Sequence, residues 1–236
     1  MTLDLTEFNA LTFDCYGTLI DWESGIVNAI RPILEHHGIQ ASDAEVLAIF
    51  SKHESVIQQP PYKRYSEVLA QVADAFADEL GFVISADERT AFGTSVPEWP
   101  AFDDSTESLR ALSHHYDLVI LSNVDDDLFA GSARRLGVDF ADVITAQQVG
   151  SYKPDPRNFD VLLERLDQPK ERILHVAQSL FHDVAPANRI GLATVWVNRR
   201  GSKEGWGATP PQDAVPDLEV PNMATLAKLA IAAHGA

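Results

Sequence analysis

Short apolar stretches recur along the chain, and each is followed by polar residues. They cover residues 10–13, 116–121, 142–145, 172–177 and 193–197. Within them the apolar residues run consecutively instead of alternating with polar ones, which is typical of strands buried on both faces of a parallel sheet. The pattern therefore predicts five buried strands.

Segments with helical spacing of apolar residues separate these strands. They cover 104–114, 126–136, the stretch that opens with Asp155 and Pro156, 181–190 and 223–233. Asp155 is predicted as the N-cap of its helix and Pro156 as the first helical residue. Strands that alternate with helices predict an α/β fold with a doubly wound parallel sheet. In such a sheet all strand carboxyl ends share one edge, where ligands bind.

Residues 20–98 interrupt this alternation of strands and helices. They contain helical patterns at 26–36, 44–57, 65–80 and 86–94, and no convincing strand. We therefore expect an α/β core formed by residues 1–19 and 99–236, with residues 20–98 inserted as a helical cap. The stretch 201–216 is rich in glycine and proline and is predicted to be a surface loop.

Charge narrows the classes of partner. The chain has 236 residues with 18 Lys and Arg against 35 Asp and Glu, a formal net charge of −17. This balance disfavours binding to nucleic acid or to an anionic membrane. The single cysteine excludes an intrachain disulfide, and no signal peptide or run of ~20 apolar residues is found. We expect a cytoplasmic protein that acts on a small molecule.

The polar residues after the predicted strands are chemically distinctive. They are Asp14, Cys15, Tyr16 and Thr18 after the first strand, Ser122 and Asn123 after the second, Lys153 after the third, and Ser179, His182 and Asp183 after the fourth. Each residue taken alone has an ordinary explanation as a helix cap, a turn or a surface side chain. Their convergence at one sheet edge instead predicts a site with Asp14 at its centre.

These strings resemble the four motifs of the haloacid dehalogenase superfamily. They are FDCYGTL around Asp14, LSN after the second strand, YKPDP around Lys153, and the final Asp183. The order matches, the predicted cap lies where that family's helical caps are inserted, and LEVPNMATLAKL resembles its C-terminal strand and helix. The resemblance implies a Rossmann-like core and an enzyme similar to type II (L-)2-haloacid dehalogenases.

Tyr16 occupies the position that separates reactions within that superfamily. Its phosphatases carry there a second Asp, which protonates the departing alkoxide. An alkoxide is a poor leaving group that needs a general acid, whereas a halide leaves as a stable anion. The sequence therefore favours hydrolysis of small 2-haloalkanoic acids to 2-hydroxy acids through an ester on Asp14.

The resemblance implies roles for the residues near Asp14. Lys153 would keep the Asp14 carboxylate ionised in a partly dry pocket, and Thr18 would orient it by a hydrogen bond. Asp183 would position or activate the water of the second step, helped by Ser179 and His182. No metal and no other cofactor are expected, because the family's Mg²⁺ neutralises a phosphate that a haloacid lacks.

Other residues would bind the substrate. Its carboxylate would be held by Ser122 and by the backbone N–H groups of Cys15 and Tyr16, an arrangement suited to anions. Asn123 would face the departing halide. Two copies of the chain could pair, since the helical caps of similar enzymes often do.

The cap departs from the family pattern. Similar dehalogenases carry an Arg on the first long cap helix that draws off the halide, but no Arg occurs between Pro32 and Lys63. Lys52, His53 and Arg64 are the candidates to replace it, and His53 is our prediction for a residue that binds substrate. Further candidates for the cap side of the pocket are Trp22, Trp99, Tyr62 and Tyr65.

The fourth motif also departs from the pattern. It reads Ala177-Gln178-Ser179-Leu180, where similar dehalogenases have a Ser-Ser-Asn pattern, and His182 could replace the missing Asn. Two alternatives therefore stay open at this point. One is a Mg²⁺-dependent phosphatase of the same superfamily that uses an aspartyl-phosphate, and the other is a catalytically weak binding member of the fold.

Overall fold

A parallel sheet forms the centre of the protein in the computed structural model, which describes residues 3–201, 208–209 and 211–235. Its strand order is β3-β2-β1-β4-β5-β6. The strands are β1 (Ala10–Phe13), β2 (Asp117–Ser122), β3 (Asp142–Thr145), β4 (Ile173–Ala177), β5 (Ala193–Val197) and β6 (Leu218–Val220). The predicted doubly wound α/β fold is confirmed, and the last strand is the one that the LEVPNMATLAKL resemblance implies.

Burial explains why β1 lies in the middle of the sheet. Its four residues are all buried, and each is paired in parallel with β2 on one side and β4 on the other. Phe13, its last residue, is opposite Ile120 of β2 and Val176 of β4. The next residue, Asp14, therefore enters the sheet edge between the ends of two neighbouring strands.

Helices cover the sheet and fill the long segment between its first two strands. In chain order they are α1 (Trp22–His36), α2 (Asp43–Ile57), α3 (Tyr65–Leu80), α4 (Ala86–Gly93), α5 (Ser105–Leu112), α6 (Asp126–Leu136), α7 (Ala146–Val149), α8 (Arg157–Leu166), α9 (Ala185–Ile190) and α10 (Met223–His234). Helices α1 to α4 follow β1 and precede β2, with no strand between them. The exact core and cap boundaries stay a prediction.

Local capping fixes the ends of the cap helices. Ser42 and Glu45 form a reciprocal capping box at the start of α2, and Ser85 and Glu88 do the same for α4. Helix α3 ends at Gly81, whose φ of 74° is the left-handed conformation that glycine adopts most readily. Local sequence therefore sets where these helices begin and end.

The structure corrects several predicted boundaries. Helix α8 begins at Arg157 with Pro156 as its N-cap, one residue later than predicted, and Asp155 Oδ1 accepts the Arg157 N–H at 2.9 Å. Helix α1 begins four residues early, at Trp22, because Asp21 caps it. The predicted helix 181–190 is a π-helical turn, Leu180–Val184, followed by α9. The predicted loop 201–216 lies partly outside the described residues.

No described helix combines the length and the apolar character needed to cross a lipid bilayer.

Candidate active site

A buried lysine joins two carboxylates at the carboxyl edge of the sheet. Lys153 Nζ donates to Asp14 Oδ1 at 3.0 Å, to Asp183 Oδ1 at 2.6 Å and to the Leu121 carbonyl at 2.7 Å. The lysine is 2% exposed, Asp14 6% and Asp183 fully buried. One positive charge therefore faces two negative ones in a dry environment, where such interactions are strong.

Opposing effects set the protonation of Asp14. Burial raises its pKa, the Lys153 ammonium lowers it and Asp183 raises it, with a net upward shift. Burial lowers the pKa of Lys153, but the two carboxylates outweigh this effect and raise the pKa overall. The lysine therefore stays charged. Thr18 Oγ1 donates to Asp14 Oδ2 at 2.8 Å and accepts the Gln178 N–H at 2.8 Å. The ionised form of Asp14 thus depends mainly on Lys153.

Asp183 is anchored by a residue that the sequence analysis missed. His175, in the middle of β4, has its Nε2 3.0 Å from Asp183 Oδ1 and its Nδ1 2.8 Å from Thr12 Oγ1. Burial raises the pKa of Asp183, but Lys153 and His175 outweigh it and lower the pKa overall. The feature of the sequence that could have identified it is a histidine within the apolar stretch 172–177. Asp183 Oδ2 is buried and has no hydrogen-bond partner among the described residues.

Asn123 supports Lys153 through its side-chain amide. Its Oδ1 accepts the Lys153 N–H at 2.7 Å, and its Nδ2 donates to the Lys153 carbonyl at 3.0 Å. Both ends of the amide are therefore bound to the lysine backbone, although the side chain also lines the cavity. This geometry favours a positioning role over the predicted contact with halide.

Two residues of the fourth motif form a local pair. Ser179 Oγ accepts the His182 N–H at 2.9 Å and lies 3.1 Å from His182 Nδ1. Burial lowers the pKa of His182 to about 4, so its imidazole is neutral near pH 7 and able to accept a proton.

The residues around the nucleophile leave hydrogen-bonding groups open. The N–H groups of Cys15 and Tyr16 have no acceptor within the part of the chain that the structure describes. The same holds for the buried hydroxyl of Ser122. The Tyr16 hydroxyl instead lies 3.0 Å from Ser132 Oγ, and burial raises its pKa well above 10. Tyr16 is therefore no substitute for an acid at this position.

A small cavity of about 30 Å³ lies beside Asp14 and has room for a water molecule or two, and Cys15 and Ser122 are not among its lining residues. Its lining residues are Asp14, Tyr16, Trp22, Glu54, Tyr65, Asn123, Lys153, Gln178, Ser179, His182, Asp183 and Thr209. A second cavity of about 390 Å³ also contacts Lys153 and His182 and lies under the loop between α2 and α3. Lys153 and His182 therefore line both cavities, whereas Asp14 lines only the smaller one.

The cap contributes an acid to the cavity instead of a base. His53, our predicted substrate-binding residue, is not among the lining residues and lies 2.6 Å from Glu79 Oε1. Lys52 pairs with the same Glu79, and Arg64 pairs with Asp127. All three candidates for the missing Arg are therefore engaged elsewhere.

Glu54 of α2 is the acid that lines the cavity, and it was not predicted from the sequence. The signal was periodic: the buried residues of α2 are Val46, Ile49, Phe50 and Glu54, so an acid continues the apolar stripe of the helix.

The carboxylates also offer a possible cation site. Asp14 and the open Oδ2 of Asp183 are oxygen ligands of the kind that Mg²⁺ prefers. A bound Mg²⁺ would supply positive charge to a phosphate group at this edge.

The fold and the site together define an α/β protein with a buried cluster of two carboxylates and a lysine at the carboxyl edge of its parallel sheet. The family model for haloacid dehalogenase-like hydrolases matches residues 8–191, and the chain belongs to that family. It is 22% identical to (S)-2-haloacid dehalogenase 1 of Pseudomonas sp. (strain CBS-3), over 91% of this chain and 95% of that one.

Two further comparisons concern the fold and the extent of the similarity. The L-2-haloacid dehalogenase from Xanthobacter autotrophicus with chloropropionic acid covalently bound superposes with a TM-score of 0.78 at 19% identity, covering 94% of this chain and 98% of that one. The ribulose-1,5-bisphosphate 5-phosphatase of Halopiger xanaduensis is 34% identical, but over only 39% of this chain and 40% of its own. The match to the Pseudomonas dehalogenase thus spans most of the chain, whereas the match to the phosphatase spans less than half of it.

Proposed function

We propose that this hydrolase converts small 2-haloalkanoic acids to 2-hydroxy acids through an ester on Asp14. The observation that carries the proposal is the position of Asp14, which Lys153 and Thr18 hold beside a small cavity while Tyr16 replaces the acid of a phosphatase. Full-length similarity to a 2-haloacid dehalogenase supports the same reaction.

In the first step Asp14 displaces the halide. One carboxylate oxygen forms a bond to C2 of the substrate, and the C2–halogen bond breaks with its electron pair on the halide. Burial removes water that would otherwise solvate the carboxylate and raises its pKa, and Lys153 is the main group that opposes this rise and favours the anion. The substrate carboxylate would accept hydrogen bonds from the open Ser122 hydroxyl and from the N–H groups of Cys15 and Tyr16.

In the second step water hydrolyses the ester. Its oxygen attacks the carbonyl carbon of Asp14, which releases the 2-hydroxy acid and restores the carboxylate. The open Oδ2 of Asp183 is free to position this water. Neutral His182, paired with Ser179, lines the same cavity, and with a pKa of about 4 it would take up the water's proton only transiently before passing it to solvent.

A panel of haloacids tests the proposal. Halide release is measured from 2-chloropropionate and bromoacetate with and without EDTA, and we expect release in both conditions. A single turnover in ¹⁸O-water should place the label in Asp14, because water attacks the enzyme ester. Label in the first product molecule would contradict the covalent scheme.

The same panel addresses the phosphatase alternative. Asp14 and Asp183 would hold Mg²⁺ in that case, and activity toward phosphate esters would disappear with EDTA. Turnover of phosphate esters without any halide release would replace the dehalogenase proposal, and absence of both activities would favour a binding protein.

A further inference from the structure

Glu54 is a buried acid that faces the reaction centre from the cap. It is 4% exposed and lines the same cavity as Asp14. Buried carboxyl groups without a cationic partner are uncommon in proteins, because an isolated charge is costly to bury. Its presence opposite the nucleophile therefore needs a chemical explanation.

The surroundings of Glu54 disfavour a negative charge. The cavity already contains the carboxylates of Asp14 and Asp183 and, among the described lining residues, Lys153 as its one lysine or arginine. The titratable and charged groups around Glu54 are Tyr65 of α3, Asp14 and Tyr16 after β1, Tyr152 and Lys153 before α8, and His182 and Asp183 after β4. An anionic substrate would add to the negative side of this balance.

The hydrogen bonds of Glu54 are one-sided. Gln58 Nε2 and the Tyr65 hydroxyl, at 3.3 Å, both donate to Glu54 Oε1. No hydrogen bond from a described residue falls on Oε2. Because both donors fall on Oε1, Oε2 is the atom that carries the hydrogen when the carboxyl group is protonated.

We propose that neutral Glu54 donates a hydrogen bond from Oε2 to the halide that leaves C2, and that it adapts the site to 2-fluoro acids. The inference rests on the proposed dehalogenase function. The preference for 2-fluoro acids follows from the chemistry of the halide, because fluoride is a much stronger hydrogen-bond acceptor than chloride or bromide and a poorer leaving group. A donor in a dry cavity therefore lowers the barrier most for fluoride.

The step is balanced without proton transfer. The Asp14 oxygen–C2 bond forms, the C2–F bond breaks, and its electron pair leaves with fluoride. Hydrogen fluoride is a stronger acid than this carboxyl group, so the proton stays on Glu54 and is shared as a hydrogen bond. Glu54 is then still protonated when water attacks the ester.

The protonation of Glu54 fits this role. Burial raises its pKa to about 7, against the smaller lowering effects of Tyr65 and Gln58. Glu54 is thus neutral below about pH 7 and loses the donor above it. The ionised form of Glu54 would also repel both the anionic substrate and the departing halide. Halide release should therefore fall as the pH rises through about 7.

Two substitutions separate this role from a structural one. Glu54→Met removes the donor at similar volume, whereas Glu54→Gln keeps an N–H donor that cannot ionise. Release of fluoride, chloride and bromide is measured from the three 2-halopropionates across pH 5 to 9, about two pH units on either side of the Glu54 transition. Glu79→Gln is the matched control, because Glu79 pairs with Lys52 and His53 outside the cavity.

We expect Glu54→Met to lower fluoride release by about 100-fold, as for removal of one oxyanion-type donor. Bromide release should fall less than about fivefold, since bromide accepts hydrogen bonds weakly. Glu54→Gln should keep fluoride release but lose the decline above about pH 7. The control should behave as wild type.

The contrary outcomes are distinguishable. Equal losses of fluoride and bromide release in Glu54→Met, with the alkaline decline unchanged in Glu54→Gln, would overturn the role of Glu54 and leave the dehalogenase function standing. If Glu54→Met does not fold, the pH profile of Glu54→Gln decides alone. No halide release from the wild type would overturn both proposals, as would Glu54-dependent cleavage of a phosphate ester with Mg²⁺.

Discussion

The core side and the cap side of the cavity differ in the charge of the side chains that line them. On the core side, Asp14, Lys153 and Asp183 form a linked set of charges, each held by at least one further hydrogen bond. On the cap side, Glu54 and Tyr65 present neutral polar groups on helices, with pKa values that burial raises. Below about pH 7 the cavity thus has one charged wall and one neutral wall.

This difference indicates a division of labour. The charged groups follow strands whose pairing fixes their positions, which is the precision that a displacement reaction needs. The cap groups are carried by helices inserted between β1 and β2, where sequence can change without disturbing the sheet. We therefore expect changes on the core side to abolish the reaction and changes on the cap side to alter which leaving group is preferred.

The largest effect should follow removal of the nucleophile. Asp14→Asn should lower halide release by on the order of 10⁴-fold or more, as for other covalent nucleophiles. The measurement is halide release by freshly purified protein, with thermal unfolding to show that the fold is kept. Asp117→Asn, at the exposed start of β2, is the matched control and should be fully active. Comparable turnover by the two variants would exclude the covalent scheme.

Removing the central cation should affect both stability and pH dependence. Lys153→Met leaves two buried carboxylates without their partner, which should lower the free energy of unfolding by about 3–5 kcal/mol. It also removes the main effect that lowers the pKa of Asp14, so residual activity should require a higher pH. Denaturant unfolding and pH–rate profiles check both, with exposed Lys228→Met as control. An unshifted profile would show that Lys153 does not control Asp14.

The cap acid should produce a smaller effect with a defined sign. The pKa of Glu54 rises from 4.5 to about 7 on folding, so the folded state holds its proton more tightly. Relative to Glu54→Gln, the wild type should therefore lose stability as pH rises from about 4.5 to about 7 and change little above that. The loss should be roughly 3 kcal/mol, at 1.36 kcal/mol per pKa unit.

A second acid on the cap gives the opposite slope. Lys52 and His53 lower the pKa of exposed Glu79, so the wild type should gain stability over Glu79→Gln as pH rises at the acidic end. Unfolding free energies of all three proteins, measured from about pH 3 to about pH 8 across the range where folded and unfolded carboxyl groups differ, test both signs. Parallel curves for wild type and Glu54→Gln would mean that Glu54 is not a neutral acid in the folded protein.

The core of the site was predictable because strand order and strand ends are local properties of the sequence. Consecutive apolar residues identified β1, and the parallel arrangement then brought Asp14, Lys153 and Asp183 to one edge. The roles assigned to these residues stay predictions, as do a cytoplasmic location and pairing of two copies.

The cap side was less predictable because its contacts are not local. His53 and Glu54 are neighbours on α2, and only the packing of that helix against α3 and the sheet edge decides which of them enters the cavity. The same holds for Asn123, whose amide is bound to the backbone of Lys153, 30 residues further along the chain. A residue's chemistry could be read from the sequence, but not the direction in which it points.

The smallest expected effect concerns the connection between the two regions. Asp125, a buried residue of the core, caps α3 by accepting the N–H groups of Tyr65 at 2.8 Å and Ser66 at 3.1 Å. Asp125→Ala should therefore lower the free energy of unfolding by about 1–2 kcal/mol, as for loss of an N-cap. Hydrogen exchange should speed up in the first turn of α3.

Asp127 provides the matched control for this variant. It also pairs with Arg64, but its side chain is 69% exposed, and exposed ion pairs contribute about 0–1 kcal/mol. Asp127→Ala should therefore leave exchange in α3 unchanged. If the two variants behaved alike, the capping contact would not be what holds Tyr65 against the core.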